Sequence, residues 1–265
     1  MEKEDLFPAL IFPFRRDCVA MDAAFFMNQV IKWSLMGLVA YFCGLLAVYK
    51  AVKVNYTRKI VHFSIFLIPI YLDRVLVFER TLTVSLISSF AAIAILLVYM
   101  KPLRERVSFF QMMFNAIDRP EDRPYTLLWL FTQTLAAYLV VVPCIYIFIM
   151  FGMQDLILIP LLITAIGDGL AEPVGVRFGR HKYRVSAFTT NRIYYRTLEG
   201  SSCVFIASLV IVGAHHAYFS TPQFIAAMVV MPVVMTLTEA FSPHTWDTPT
   251  LFLAGYLVLF GIALI

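Results

Sequence analysis

The chain has 265 residues, of which 61% are apolar and only 14% charged, and its mean hydropathy is +0.81. Soluble domains are usually about 45–50% apolar and about 25% charged. The composition therefore excludes a disordered chain, a collagen-like chain and a disulfide-stapled secreted domain, and it argues against a soluble single-core domain, whose surface so few polar residues could not cover.

The start of the chain, Met1-Glu2-Lys3-Glu4-Asp5, is acidic where a cleavable signal would be basic, so no signal peptide is expected. Residues 1–29 are expected to lie outside the membrane, and 30–265 to form one membrane-embedded domain. A spanning helix needs about 20 mostly apolar residues. Spans are predicted near 30–49, 60–78, 82–100, 127–151, 156–173, 201–219, 223–238 and 251–265. The last two are short and carry Pro232 and Gly255, which predicts tilt, a kink or re-entry. The expected fold is thus an all-α polytopic transmembrane helical bundle of seven to eight spans.

Lysine and arginine then set the orientation. Lys50, Lys53, Arg58 and Lys59 fall in loop 49–59; Lys101, Arg104, Arg106, Arg119 and Arg123 in 101–126; Arg177, Arg180, Lys182, Arg184, Arg192 and Arg196 in 174–200. The intervening loops hold only Arg80. The positive-inside rule places the basic loops, with 239–250, in the cytoplasm and the N-terminus on the non-cytoplasmic side.

Outside the spans, Leu103, Val107, Phe110, Phe114 and Ile117 share one helical stripe, and Arg104, Ser108, Gln111, Asn115 and Asp118 the next. That pattern predicts an amphipathic helix lying either on the bilayer face or on the protein's own spans. Pro120 and Pro124 end it.

The polar residues gather at 164–200. Asp168 and Glu172 are four apart, so a continuing helix puts them on one face. Two such carboxylates suit a hard divalent cation, or pair with nearby arginines. Gly167, Gly169, Gly175, Gly179 and Gly200 permit close backbone approach to phosphate oxygens. Arg177, Arg180, His181, Lys182 and Arg184 lie among them. Arginine grips phosphate through a bidentate fork, although an anionic lipid surface attracts the same run. The sequence has no GxxxxGK[ST], kinase-type GxGxxG, GxSxG or HExxH.

Two other constellations fall on the same side. Arg58-Lys59-Ile60-Val61-His62 opens the second span, with His62 a proton carrier, a phosphate donor or an interfacial residue. Glu239 through Pro249 follows the seventh span and offers Glu239 and Asp247 as metal ligands or as a base toward a substrate hydroxyl. His215 and His216 fall on the opposite side and read as interfacial. Asp73 and Arg74 read as an ion pair or snorkelling anchors. Cys18, Cys43, Cys144 and Cys203 are scattered and suggest neither zinc nor a redox pair.

Gly167-Asp168-Gly169-Leu170-Ala171-Glu172, with Gly175, Arg177, Phe178 and Gly179, and then Arg196-Thr197-Leu198-Glu199-Gly200-Ser201, resembles the membrane-embedded CTP-using lipid enzymes. These include dolichol kinase, phytol kinase, the CTP-dependent diacylglycerol kinase and, more distantly, phosphatidate cytidylyltransferase. The kinase branch carries an early Arg-Lys-x-x-His element, here Arg58 to His62, and a late acidic motif ending in Asp-Asn and Pro, here Glu239 to Pro249. The resemblance covers roughly 55–250. The chain departs from the pattern at Thr197, where the family has Ser, at Thr248, where it has Asn, and near Ser186, where it has Pro.

The resemblance implies γ-phosphoryl transfer from CTP to a lipid alcohol such as phytol, farnesol, dolichol or diacylglycerol. It implies Mg²⁺ (or Mn²⁺) on Asp168 with Glu172 or Glu199, and phosphates held by Arg177, Arg180, Lys182 and Arg196, with Arg58 and Lys59 and the five glycines joining the nucleotide site. Asp247, Glu239 or His62 would orient or deprotonate the hydroxyl. The expected partners are the lipid alcohol, a nucleoside triphosphate and membrane lipids, with no nucleic acid. The expected setting is a bacterial inner, plastid or endoplasmic reticulum membrane, with the active site on the cytoplasmic side. A cytidylyltransferase forming a CDP-lipid from a lipid phosphate is the second enzyme reading. A small transporter is the remaining one, disfavoured because the charges gather on one side rather than along a pathway.

Overall fold

A computed structural model describes residues 23–79, 81–188 and 190–265; expectations about residues 1–22 and Arg80 lie outside the described residues. The fold is all-α, and 79% of the described residues are helical. Helix α1 (Ala23–Tyr49) turns over four residues into α2 (Val54–Val75). Thus Arg58, Lys59 and His62 sit inside a helix that starts earlier than the expected span. Helix α3 (Leu82–Ala94) is started by Thr81, whose hydroxyl accepts from Val84 N at 3.2 Å, and runs on as a tighter coil to Tyr99. Two short helices follow, α4 (Lys101–Arg106), with Pro102 in its first turn, and α5 (Ser108–Asn115), before the long α6 (Thr126–Met150).

The central polar stretch sits on one interrupted rod: α7 (Leu158–Ile163), a π-turn at Thr164–Asp168, and α8 (Gly169–Phe178). The basic loop that follows is a small hairpin. Strand β1 (Lys182–Val185) pairs antiparallel with β2 (Tyr194–Thr197), Lys182 opposite Thr197. Thr197 then caps α9 (Leu198–Ala214), its Oγ1 accepting from Gly200 N at 3.1 Å. Ser220 and Gln223 form a capping box on α10 (Thr221–Phe241), and α11 (Asp247–Ala263) closes the fold.

Among the described residues, five helical segments are long and apolar enough to cross a membrane: Ala23–Tyr49, Leu82–Tyr99, Thr126–Met150, Gln154–Phe178 and Thr221–Phe241. Helix α2 carries Arg58, Lys59, Asp73 and Arg74, and α9 and α11 are 17 residues each. Large apolar side chains such as Phe90, Leu139, Val210 and Leu257 point outward. These features are compatible with a multi-pass membrane protein.

The main core joins α7, α9, α10 and α11 around Ile159, Ile163, Val204, Met231, Met235, Leu251 and Leu259. Tyr256 is buried there and donates to Ile157 O at 2.9 Å, so its hydroxyl is not orphaned. A second core ties α5 to α1 and α2 through Ala40, Cys43, Val61, Met113 and Phe114. The amphipathic stretch therefore packs on the protein's own helices. Gly44 lets the Met112 carbonyl approach α1 at a position any Cβ would occupy, and Tyr41 stacks on Phe109 at 4.8 Å. The single helix expected over 103–117 is broken at Val107, which is extended (φ −120°, ψ 103°). Phe114 and Ile117 are buried as their stripe predicts, whereas Leu103 and Val107 remain exposed.

Candidate functional site

The π-turn ends at Asp168, which it buries beside α2. Wide turns of this kind recur at functional sites. Lys59 Nζ donates to both Asp168 carboxylate oxygens at 2.9 Å and to its backbone carbonyl at 2.8 Å. His62 Nε2 lies 3.6 Å from Asp168 Oδ2 and 3.4 Å from Thr164 O. One turn on, Glu172 takes Arg58 Nη1 at 2.8 Å, Asn55 Nδ2 at 2.8 Å and Arg119 Nη1 at 2.7 Å, with Lys59 Nζ at 4.0 Å. Lys59 thus reaches both acids, which share one face as their spacing predicts.

The late acidic motif closes the same cluster. Arg196 Nη1 contacts the Glu239 backbone carbonyl and lies 3.1 Å from Glu239 Oε1, while Nη2 lies 3.5 Å from Asp247 Oδ2. All these groups are at least largely buried. Burial alone would lower the Arg196 pKa; Asp247 and Glu239 outweigh it and hold the guanidinium charged. Thr248 Oγ1 accepts from Gln133 Nε2 at 3.0 Å.

The early element, the Gly-Asp-Gly element and the late acids are therefore brought together, along with Arg196. Arg177, Arg180 and Lys182 are not: they are exposed on the end of α8 and the start of β1. Arg177, Phe178, Gly179, Arg180, His181 and Glu199 line a separate surface recess of about 500 Å³. Glu199 lies apart from Asp168 and Glu172, paired with His181 Nδ1 at 2.7 Å. The five glycines make close protein–protein contacts. A Cβ on Gly200 would sit 2.6 Å from Ala171 O, so glycine is needed there, and one on Gly167 would press on the Val204 Cα at 3.0 Å, where α8 and its π-turn cross α9. Gly175 and Gly179 abut Thr197, and Gly169 abuts Phe63.

Arg119, Asn55 and Asp122 complete the polar cluster without having been singled out by the sequence, and His244, which lies in the expected 239–250 loop with Glu239 and Asp247, joins them. Arg119 Nε donates to Asp122 Oδ2 at 2.7 Å, and Asp122 Oδ1 lies 2.9 Å from His244 Nε2. Burial opposes the Arg119 charge, but Glu172 and Asp122 outweigh it and raise its pKa. The one available signal was Arg119-Pro120 at the end of an amphipathic stretch, which reads equally as helix punctuation.

A divalent cation fits this chemistry only with help. Among the described residues no three His, Cys, Asp or Glu side chains form a ready ligand group. Mg²⁺, however, commonly takes one or two carboxylates and completes its shell with phosphates and water. Glu239 Oε2 is buried without a hydrogen-bond partner, and Asp247 shares Arg196 with Glu239. These two carboxylates, with Asp168 beside them, are the ones that would hold it. No family model, curated protein or solved structure matches this chain.

Proposed function

We propose that the protein is an integral membrane lipid kinase that transfers the γ-phosphate of CTP to the hydroxyl of a lipid alcohol. The observation that carries this reading is the convergence of three elements, 58–62, 167–172 and 239–247, into one buried cluster of alternating acids and bases around Lys59 and Arg196. Such a cluster, at one end of a helical bundle, suits a polyphosphate whose charge must be neutralised away from bulk water. A bound Mg²⁺ supplies Lewis-acid neutralisation of the phosphates.

In this reading the chain's own groups divide the work. Lys59 and Arg196 exchange their carboxylate partners for phosphate oxygens, while Arg58 and Arg119 stay on Glu172. Glu172, held by two guanidinium groups and an amide, anchors the bases rather than a metal. The lipid hydroxyl attacks the γ-phosphorus, a new P–O bond forms, the bridging bond to the β-phosphate breaks, and CDP leaves. The hydroxyl proton goes to His62 Nδ1, since His62 Nε2 faces Asp168 and the Thr164 carbonyl. Seven to eight helices span the bilayer, with α2, α9 and α11 among them. The cluster opens to the cytoplasm, where the positive-inside rule puts the basic loops.

The experiment is purified protein with Mg²⁺, labelled CTP and phytol, farnesol, dolichol or diacylglycerol. A phosphorylated lipid with release of CDP is the expected result. Pyrophosphate released from a lipid phosphate would mark the cytidylyltransferase instead, and no metal-dependent lipid product from any acceptor would reject both.

A further inference from the structure

Arg119 faces two ways. Its Nη1 donates to Glu172 at 2.7 Å, while Nε and Nη2 grip Asp122 Oδ2, each at 2.7 Å. The other oxygen of Asp122 lies 2.9 Å from His244 Nε2, and that same nitrogen is 3.2 Å from Arg119 Nη2. A guanidinium only donates, so His244 Nε2 can accept from Arg119 or donate to Asp122, not both. The shorter contact is to a carboxylate, which only accepts, so Nε2 carries the proton and donates to Asp122. A directed chain results: His244 donates to Asp122, Asp122 holds Arg119, and Arg119 holds Glu172.

That chain links three parts of the fold: the segment 242–246 ahead of Asp247, the segment 116–125, and α8. The imidazole is fixed on its other sides. Tyr194 stacks on it at 3.7 Å and 7°, and Trp129 meets it edge-on at 5.4 Å. The His244 backbone N–H donates to Ser186 O at 2.7 Å. The charged groups acting on His244 include Asp122, Arg119, Arg58 and Asp247. A buried polar chain contributes little net stability compared with apolar packing, but it selects one geometry.

We propose that His244 and Asp122 are positioning residues that lock Arg119 onto Glu172 and keep the 242–246 segment closed over the ion cluster, so that Asp247 and the bases stay in register. The kinetic consequences rest on the lipid-kinase reading; the geometric ones do not.

The test uses the full chain in detergent micelles with Mg²⁺, CTP and whichever of the four lipid alcohols is turned over. H244A lowers kcat by roughly tenfold or more while KM for CTP changes by less than about threefold, as expected when a supporting contact is lost. H244Q, whose amide still donates to Asp122, recovers most of that loss. The second readout needs no turnover. A protonated imidazole quenches a neighbouring indole, so the emission attributable to Trp129 (that lost in W129F) falls on acidification in a step that H244Q abolishes. D122N shifts the step to lower pH, because the carboxylate that favours the imidazolium is gone. Wild-type kinetics in H244A, equal damage in H244A and H244Q, or no His244-dependent emission step would each overturn the proposal. If no alcohol is phosphorylated while the emission step and its D122N shift are present, the kinase reading fails and the lock itself stands.

Discussion

Lys59 and Asp168 are 109 residues apart in sequence, yet Lys59 Nζ touches both carboxylate oxygens of Asp168 and its backbone carbonyl, all within 2.9 Å. Both side chains are buried. Removing one partner strands the other charge away from water, which is far worse than removing both. K59M is therefore expected to destabilise the protein by about 3–5 kcal/mol. The double variant K59M/D168N recovers much of that stability in thermal unfolding but none of the CDP release. Equal stability of the single and double variants would show that the pair is not held as described.

Glu199 and Asp247 offer a contrast within the acids. Glu199 faces His181 at the surface, whereas Asp247 is buried beside Arg196. E199Q is expected to keep kcat within about threefold, while D247N loses at least about a hundredfold, the scale for a group acting on developing charge. Steady-state kinetics with labelled CTP measures both. A dead E199Q would restore it to the site.

Acid should loosen the junction of segments 116–125 and 242–246. Burial holds the His244 pKa below its ordinary 6.5, against the pull of Asp122. The unfolded chain therefore takes up that proton first, and stability falls as pH drops from 6.5 toward the folded value. Burial would raise Asp122, but the hydrogen bond with His244 and the Arg119 charge hold it below 3.8. Its stabilisation is present above 3.8 and disappears as pH falls through the folded value. A tenfold difference in proton affinity between folded and unfolded chain corresponds to about 1.4 kcal/mol. The melting temperature should therefore fall between about pH 7 and pH 5, more weakly in H244Q, as thermal scans would read directly.

Gly44 tests how the surface helix is fixed. The Met112 carbonyl of α5 occupies the space a side chain at position 44 would need. G44V should push α5 off α1 and cost about 1–3 kcal/mol. The stacked Tyr41–Phe109 pair would separate with it. Unchanged melting of G44V would mean α5 is not seated there.

Composition alone made the chain helical and apolar, because so few charged residues leave no way to cover a soluble surface. The four-residue spacing of Asp168 and Glu172 was enough to put them on one face, since that is a local property of any helix. The residues that meet them were a different matter. Arg119 reaches Glu172 only because α5 docks on α1, and Asn55 only because α2 packs against α8. His244 reaches Asp122 across 122 residues. No period or motif encodes such distances, because they depend on helix crossings. The glycines teach the same lesson. In the sequence they suggested room for phosphate, and in the folded chain Gly167 and Gly200 are where α9 presses closest to the rod that carries Asp168. Local spacing is written in the order of residues; which charges neutralise one another is decided only when the helices pack.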